Sequence, residues 1–204
     1  LQELGGPKAI AQALLANPQP LYLSGPPGCG KTDTACMLCD ILGQQATVVQ
    51  YRSPKAIQGL IGAANQSNAA DMIEALAATA SCLLPASMLS SDVSQRAFAD
   101  ALVSLVMDGT GWSLVVVVDD LHEHSEVRQA LELLMGKCAH LPLRFLLSGR
   151  SSPPLTMNAI EIPLHLFSRC EAQSILQGWL PDRDIADLLS VGWVCHQESF
   201  SRYL

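Results

Sequence analysis

Charge is what this chain has least of. Only 15% of its 204 residues are Asp, Glu, Lys or Arg, against 49% that are hydrophobic, so material for a full-sized core is available. Basic residues are scarcer than acidic ones, 12 against 19, giving a net charge of −7, and no stretch gathers them. That argues against a dedicated nucleic-acid surface. No apolar run reaches the length of a membrane-spanning helix, and no secretory signal is read at the amino end. The seven cysteines are odd in number and scattered without a disulfide framework, which predicts reduced thiols and a cytoplasmic setting. Cys36-x-x-Cys39 has no second Cys/His pair at zinc spacing, and His122-Glu123-His124 has no third ligand. The first reads as helix packing and the second as a polar loop. No repeat of solenoid length occurs.

One stretch stands out. Gly25-Pro26-Pro27-Gly28-Cys29-Gly30-Lys31-Thr32 fits G-x-x-x-x-G-K-[ST], the phosphate-binding loop. Leu21-Tyr22-Leu23-Ser24 before it is strand-like. After it Ala35, Leu38, Cys39 and Leu42 recur at i, i+3, i+4, i+7, a helix face. Glycines let successive backbone N–H groups turn inward as an anion nest, and the helix starts with free donors and the positive end of its dipole. Lys31 is expected to bridge β- and γ-phosphates and Thr32 to ligate Mg²⁺. Pro26 and Pro27 stiffen the loop without donating. Asp33, in the first turn, completes the nucleotide-binding segment.

Strands and helices alternate through the rest. Pro7 can open a first helix carrying Ile10, Leu14 and Leu15, ended by Asn17-Pro18. Thr47–Tyr51 reads as a strand. Two helical faces follow, one running from Ala69 through Met72, Ile73, Leu76 and Ala80 to Leu83, the other from Phe98 to Val106, with a loop over Pro85–Ser91. Asp108–Gly111 is a break. Leu114–Val118 is a β-branched run, as expected of a parallel strand covered on both faces. A helix over Val127–Cys138, a strand over Arg144–Ser148 and a last strand over Ala159–Ile162 complete the pattern. Ser168 and Glu171 have capping-box spacing, and the tail from Val191 to Leu204 has no clear period. Alternation of this kind predicts a parallel α/β sheet with right-handed crossovers and ligands beyond the carboxyl ends of its strands.

Three polar stations fall at that edge: the loop, Asp119-Asp120 and Arg150. Asp119 can hold Mg²⁺ opposite Thr32. Asp120 can orient or activate an attacking water. Arg150 can read the γ-phosphate and tell ATP from ADP.

The order Gly-Pro-Pro-Gly-Cys-Gly-Lys-Thr, Leu-Val-Val-Val-Val-Asp-Asp-Leu, Phe-Leu-Leu-Ser-Gly-Arg resembles P-loop ATPases of the AAA+/STAND group, which includes the NACHT and NB-ARC switch domains. The resemblance spans residues 1–180 or so. It implies a three-layer α-β-α P-loop NTPase with a parallel five-stranded sheet over residues 1–165, followed at 166–204 by the start of a helical lid. It also makes Asp119-Asp120 the Walker B pair and Arg150 a sensor 1 arginine. AAA+ machines usually carry Glu where Asp120 stands, and the shorter side chain implies slow hydrolysis.

The function expected from motif order and resemblance is an ATP/ADP-binding, Mg²⁺-dependent switch. Lys31, Asp119, Asp120 and Arg150 would be its catalytic residues, and Thr32 and Asp119 its metal ligands. Rival expectations are an AAA+ motor or loader working as a ring, a small-molecule kinase, and a scaffold without catalysis. Cations in 150–204 are spread apart, which weighs against a kinase lid. The chain begins at Leu1 rather than Met and reads as a fragment, so protein partners or self-association are expected to reside in flanking domains.

Overall fold

The computed structural model of the chain describes residues 6–51, 54–79, 81–83, 95–107, 113–119, 121, 125–166, 168 and 171. Its centre is the valine run. β4 (Ser113–Val118) is buried at every position because parallel neighbours flank it, β2 (Ala46–Tyr51) on one side and β5 (Leu143–Gly149) on the other. Leu114, Val116 and Val118 enter the core on one face, and Val115 and Val117 the core on the other. Burial on both faces is why this run is continuously apolar instead of alternating.

Three shorter strands complete the sheet: β1 (Leu21–Ser24), β3 (Ser81–Leu83) and β6 (Ile160–Pro163). The order is β3-β2-β4-β5-β1-β6. The five parallel strands are those the sequence predicts, and β3 adds an antiparallel edge to β2. On one face lie α1 (Gly6–Ala16) and α2 (Lys31–Leu42), whose Ile10, Leu14, Leu38 and Leu42 pack on Val48, Val115 and Leu146. The other face carries α3 (Pro54–Ala64), α4 (Ala69–Thr79), α5 (Gln95–Met107) and α6 (Ser125–Lys137). Their Leu60, Leu76, Leu102 and Leu131 close over Val116 and Phe145.

Two local expectations change. The face from Ala69 to Leu83 is not one helix: α4 ends at Thr79 and Ser81–Leu83 turns into β3. β2 would otherwise end the sheet with a row of unpaired N–H and C=O groups, and three strand residues satisfy that edge. α3 is a helix the sequence reading passed over. Lys137 ties it down, its Nζ donating to Ala64 O at 2.8 Å and Gln66 O at 2.9 Å, where the last carbonyls of a helix need donors.

The Ser168–Glu171 capping box is present. Glu171 N donates to Ser168 Oγ at 3.3 Å and Ser168 N to Glu171 Oε2 at 2.7 Å. The Ser168 backbone N–H first, then the Ser168 side chain, hold the Glu171 carboxyl below the usual carboxylate range. The loops predicted over Pro85–Ser91 and Asp108–Gly111, His122–His124, and everything after Glu171 lie outside the described residues. Among the described residues no helix is long and apolar enough to cross a membrane.

One close approach fixes how β1 meets β5. Tyr22 is buried, and a Cβ added at Gly149 would collide with its hydroxyl. Burial, then the Glu161 carboxylate, raises the Tyr22 pKa. Gly149→Ala is expected to cost about 1–3 kcal/mol, the usual penalty for overpacking, seen as a lower urea midpoint at unchanged slope. Tyr22→Phe in that background deletes the colliding oxygen and should return part of the loss. Equal losses with and without the hydroxyl would show that the two residues do not touch.

Candidate functional site

The phosphate-binding motif occupies the turn between β1 and α2, at the carboxyl edge of the sheet. Gly25, Gly28 and Gly30 all take positive φ, at 151°, 77° and 83°. At Gly30 nothing lies within 4 Å of an added Cβ, so only the left-handed backbone favours glycine there. Gly25 is different. A Cβ there would meet the Leu164 carbonyl oxygen and come within 2.7 Å of Cys29 Sγ. Glycine is required at this position by crowding as well as by φ.

α2 opens without a side-chain cap, because Gly30 is its N-cap residue. The first intrahelical bond inside this turn is Thr34 N to Gly30 O, 2.8 Å. The N–H groups of Lys31, Thr32 and Asp33 precede the first available helical acceptor. They point outward with the positive end of the helix dipole behind them, which is an anion-binding arrangement. Lys31 is 7% exposed and turned back on the loop. Its Nζ donates to Gly25 O at 2.8 Å and Pro26 O at 2.9 Å, and lies 3.8 Å from Cys29 Sγ. A buried ammonium is costly unless hydrogen-bonded, and the loop carbonyls meet that demand.

Asp119 follows β4 directly. Thr32 Oγ1 donates to its Oδ2 at 2.7 Å, and Ser148 Oγ donates to its Oδ1. Strand order explains the meeting. β5 lies between β1 and β4, with Leu23 opposite Ser148 and Val118 opposite Leu147. Ser148 therefore sits between the loop and the acid, and Thr32 reaches Asp119 across it from the first turn of α2. The Thr32 hydroxyl and Asp119 carboxylate are adjacent oxygen donors, the kind Mg²⁺ takes from a protein while keeping waters and substrate oxygens. Among the described residues no three His, Cys, Asp or Glu side chains converge, so these residues build no protein-only cage for a softer metal.

Of the residues singled out from sequence, Gly25 to Asp33 and Asp119 come together here. Asp120 and His122–His124 lie outside the described residues. Arg150 lies at the same edge, exposed, one residue past β5. Cys39 is buried in the core beside Leu38 and Leu42, and Cys36 is half-buried. Cys138 is also buried, and desolvation pushes its thiol up to about 11. Ser148, 1% exposed, is the site residue that sequence reading missed. It is the hydroxyl that ends the apolar run Phe145-Leu146-Leu147, a position that gains its meaning only from strand order.

Comparison with known proteins agrees with this architecture. Among curated proteins, none matches the sequence. Solved structures do match in fold. C. elegans PCH-2 superposes with a TM-score of 0.50 at 15% identity, covering 94% of this chain and 48% of that one. The Walker-type ATPase PABY2304 of Pyrococcus abyssi gives 0.51 at 13%, covering 86% and 57%. The chain thus spans about half the length of the solved structures it matches. The shared architecture is the three-layer α/β fold of P-loop NTPases. The family profile described as "Nephrocystin 3, N-terminal" matches residues 9–150, well over half of the sequence, including the loop, Asp119, Ser148 and Arg150. On that match the chain belongs to the nephrocystin 3 N-terminal family.

Proposed function

We propose that this chain is an ATP/ADP-binding switch domain of the STAND type, with Mg²⁺-dependent and slow ATP hydrolysis. The observation that carries the reading is the Asp119 carboxylate, bonded to Thr32 of the phosphate loop on one oxygen and to Ser148 of β5 on the other. It stands beside a helix start whose donors have no side-chain cap. An uncapped helix N-terminus, a lysine and an acid–hydroxyl pair suit a phosphate chain with its metal better than they suit any neutral ligand.

In this reading the loop amides receive the phosphates. Lys31 leaves the Gly25 and Pro26 carbonyls and bonds the β- and γ-phosphates instead, exchanging neutral acceptors for charged ones, which are stronger. Thr32 and Asp119 would hold Mg²⁺, which supplies charge neutralisation when bound. Ser148 keeps the Asp119 carboxylate turned toward Thr32. Asp120, next in the chain, is assigned to orienting the attacking water, and Arg150 to sensing the γ-phosphate. Protein partners, or self-association, would belong to parts of the protein flanking this domain.

Lys31→Ala is expected to weaken ATP binding by about 2–4 kcal/mol, the loss of two charge-assisted bonds, on the order of 100-fold in Kd, and ADP binding, which loses the β-phosphate bond alone, by about half that energy. Isothermal titration calorimetry reads this directly, and unchanged affinity for both nucleotides would overturn the proposal. Ser148 and Arg150 separate by ligand. Ser148→Ala should weaken Mg²⁺-supported binding of ATP and ADP alike by about 1 kcal/mol, roughly fivefold. Arg150→Ala should weaken ATP alone. A variant Arg150→Ala with the wild-type ratio of ATP to ADP affinity would remove Arg150 from the γ-phosphate role.

A further inference from the structure

Gly25 has two jobs in one residue. Its carbonyl oxygen accepts the Lys31 ammonium. Its Cα side has no room for a Cβ because the carbonyl oxygen of Leu164 and the Cys29 thiol occupy that space. Leu164 is the first residue after β6, the start of the strap Leu164–Leu166 by which the chain leaves the sheet. The strap is fastened at this point. Leu164 N donates to Ser24 O at 2.7 Å, on the residue just before the loop. The Leu164 side chain is 7% exposed and shares a core cluster with Cys29, Leu23 and Ile162. Two residues on, Leu166 is 48% exposed.

We infer that occupancy of the phosphate loop and docking of the strap Leu164–Leu166 are a single equilibrium, joined at Gly25. This rests on the nucleotide-binding reading above and adds to it the segment through which binding is felt outside the site. The physical chain is short. A phosphate that draws Lys31 away frees the Gly25 and Pro26 carbonyls and holds the loop by its amides. The loop backbone at Gly25 then stays in the one conformation against which the Leu164 carbonyl fits. Conversely, a strap that lifts off removes the wall behind Gly25 and the packing beside Cys29, and the loop loses its preset curl. Coupling of this kind is reciprocal: nucleotide stabilises the docked strap by the factor by which the docked strap favours nucleotide.

The N–H of Leu164 reports the docked state through hydrogen exchange, because it must leave Ser24 O to exchange. The control lies on the same strand. Ile160 N donates to Pro20 O at 2.8 Å, at the far end of β6 from the loop. Exchange of both amides is followed in the whole chain, without and with saturating Mg²⁺–ADP, whose binding is verified by calorimetry on the same sample. The expected result is at least a tenfold slowing at Leu164 against a clearly smaller change at Ile160. Leu164→Ala, folded by circular dichroism, should bind Mg²⁺–ADP several-fold more weakly, whereas Leu166→Ala, altering an exposed side chain, should bind as wild type. If nucleotide binds and both amides slow alike, global stabilisation explains the effect, the coupling is overturned and the nucleotide-binding reading stands. If Mg²⁺–ADP does not bind at all, that reading falls, and this inference with it.

Discussion

A single carboxylate holds the candidate site together. Asp119 accepts from Thr32 on one oxygen and from Ser148 on the other, so the first turn of α2, the end of β4 and the end of β5 meet at one group. None of the three elements is near another in sequence. Their meeting depends on β5 being inserted between β1 and β4, and that placement depends in turn on the burial of β4 on both faces. A sheet that set β1 directly against β4 would bring the loop and the acid together without Ser148 between them. Charge-assisted hydrogen bonds of this type are the stronger class, and here they join parts of the fold that apolar packing alone would align only loosely.

The loop itself depends on backbone crowding. Gly149 meets the Tyr22 hydroxyl and Gly25 meets the Leu164 carbonyl, so the two strands beside β1 both press on the segment around the motif. Gly25 N also donates to Gly149 O at 3.2 Å. The motif is thus wedged from β5 on one side and from the exit of β6 on the other. Lys31 completes the frame by bonding the carbonyls of the loop's own first residues. The curl of the loop is thus held by packing and by its own lysine.

How much of this was legible depended on range. The motif and the helix face Ala35, Leu38, Cys39, Leu42 are local patterns, and all four residues are buried as expected. β4 was readable because burial on both faces leaves an unmistakable composition. α3 escaped notice because Gly59 and Gly62 interrupt it, although Ile57, Leu60, Ile61 and Ala64 keep helical spacing. β3 was hidden because three residues are too few to show a period, and Leu83 happened to prolong the face of α4. The role of Ser148 could not be read from its own neighbourhood: it follows from strand order, which is a property of the whole sheet. Arg150, by contrast, is a cation after a strand and conspicuous in sequence, and it lies at the same edge two residues past Ser148.

The bare start of α2 has a consequence of its own. Ser, Asp or Asn at the place of Gly30 would offer the helix an oxygen for its leading amides, ordinarily worth only roughly a few tenths of a kcal/mol over glycine, and the left-handed backbone there opposes it. Such a residue would also spend those amides internally. The helix therefore begins with its leading amides uncapped by any side chain, and on the proposed reading a phosphate against its first turn would be their partner. On that reading α2 is an unfinished element, completed by a group outside the polypeptide.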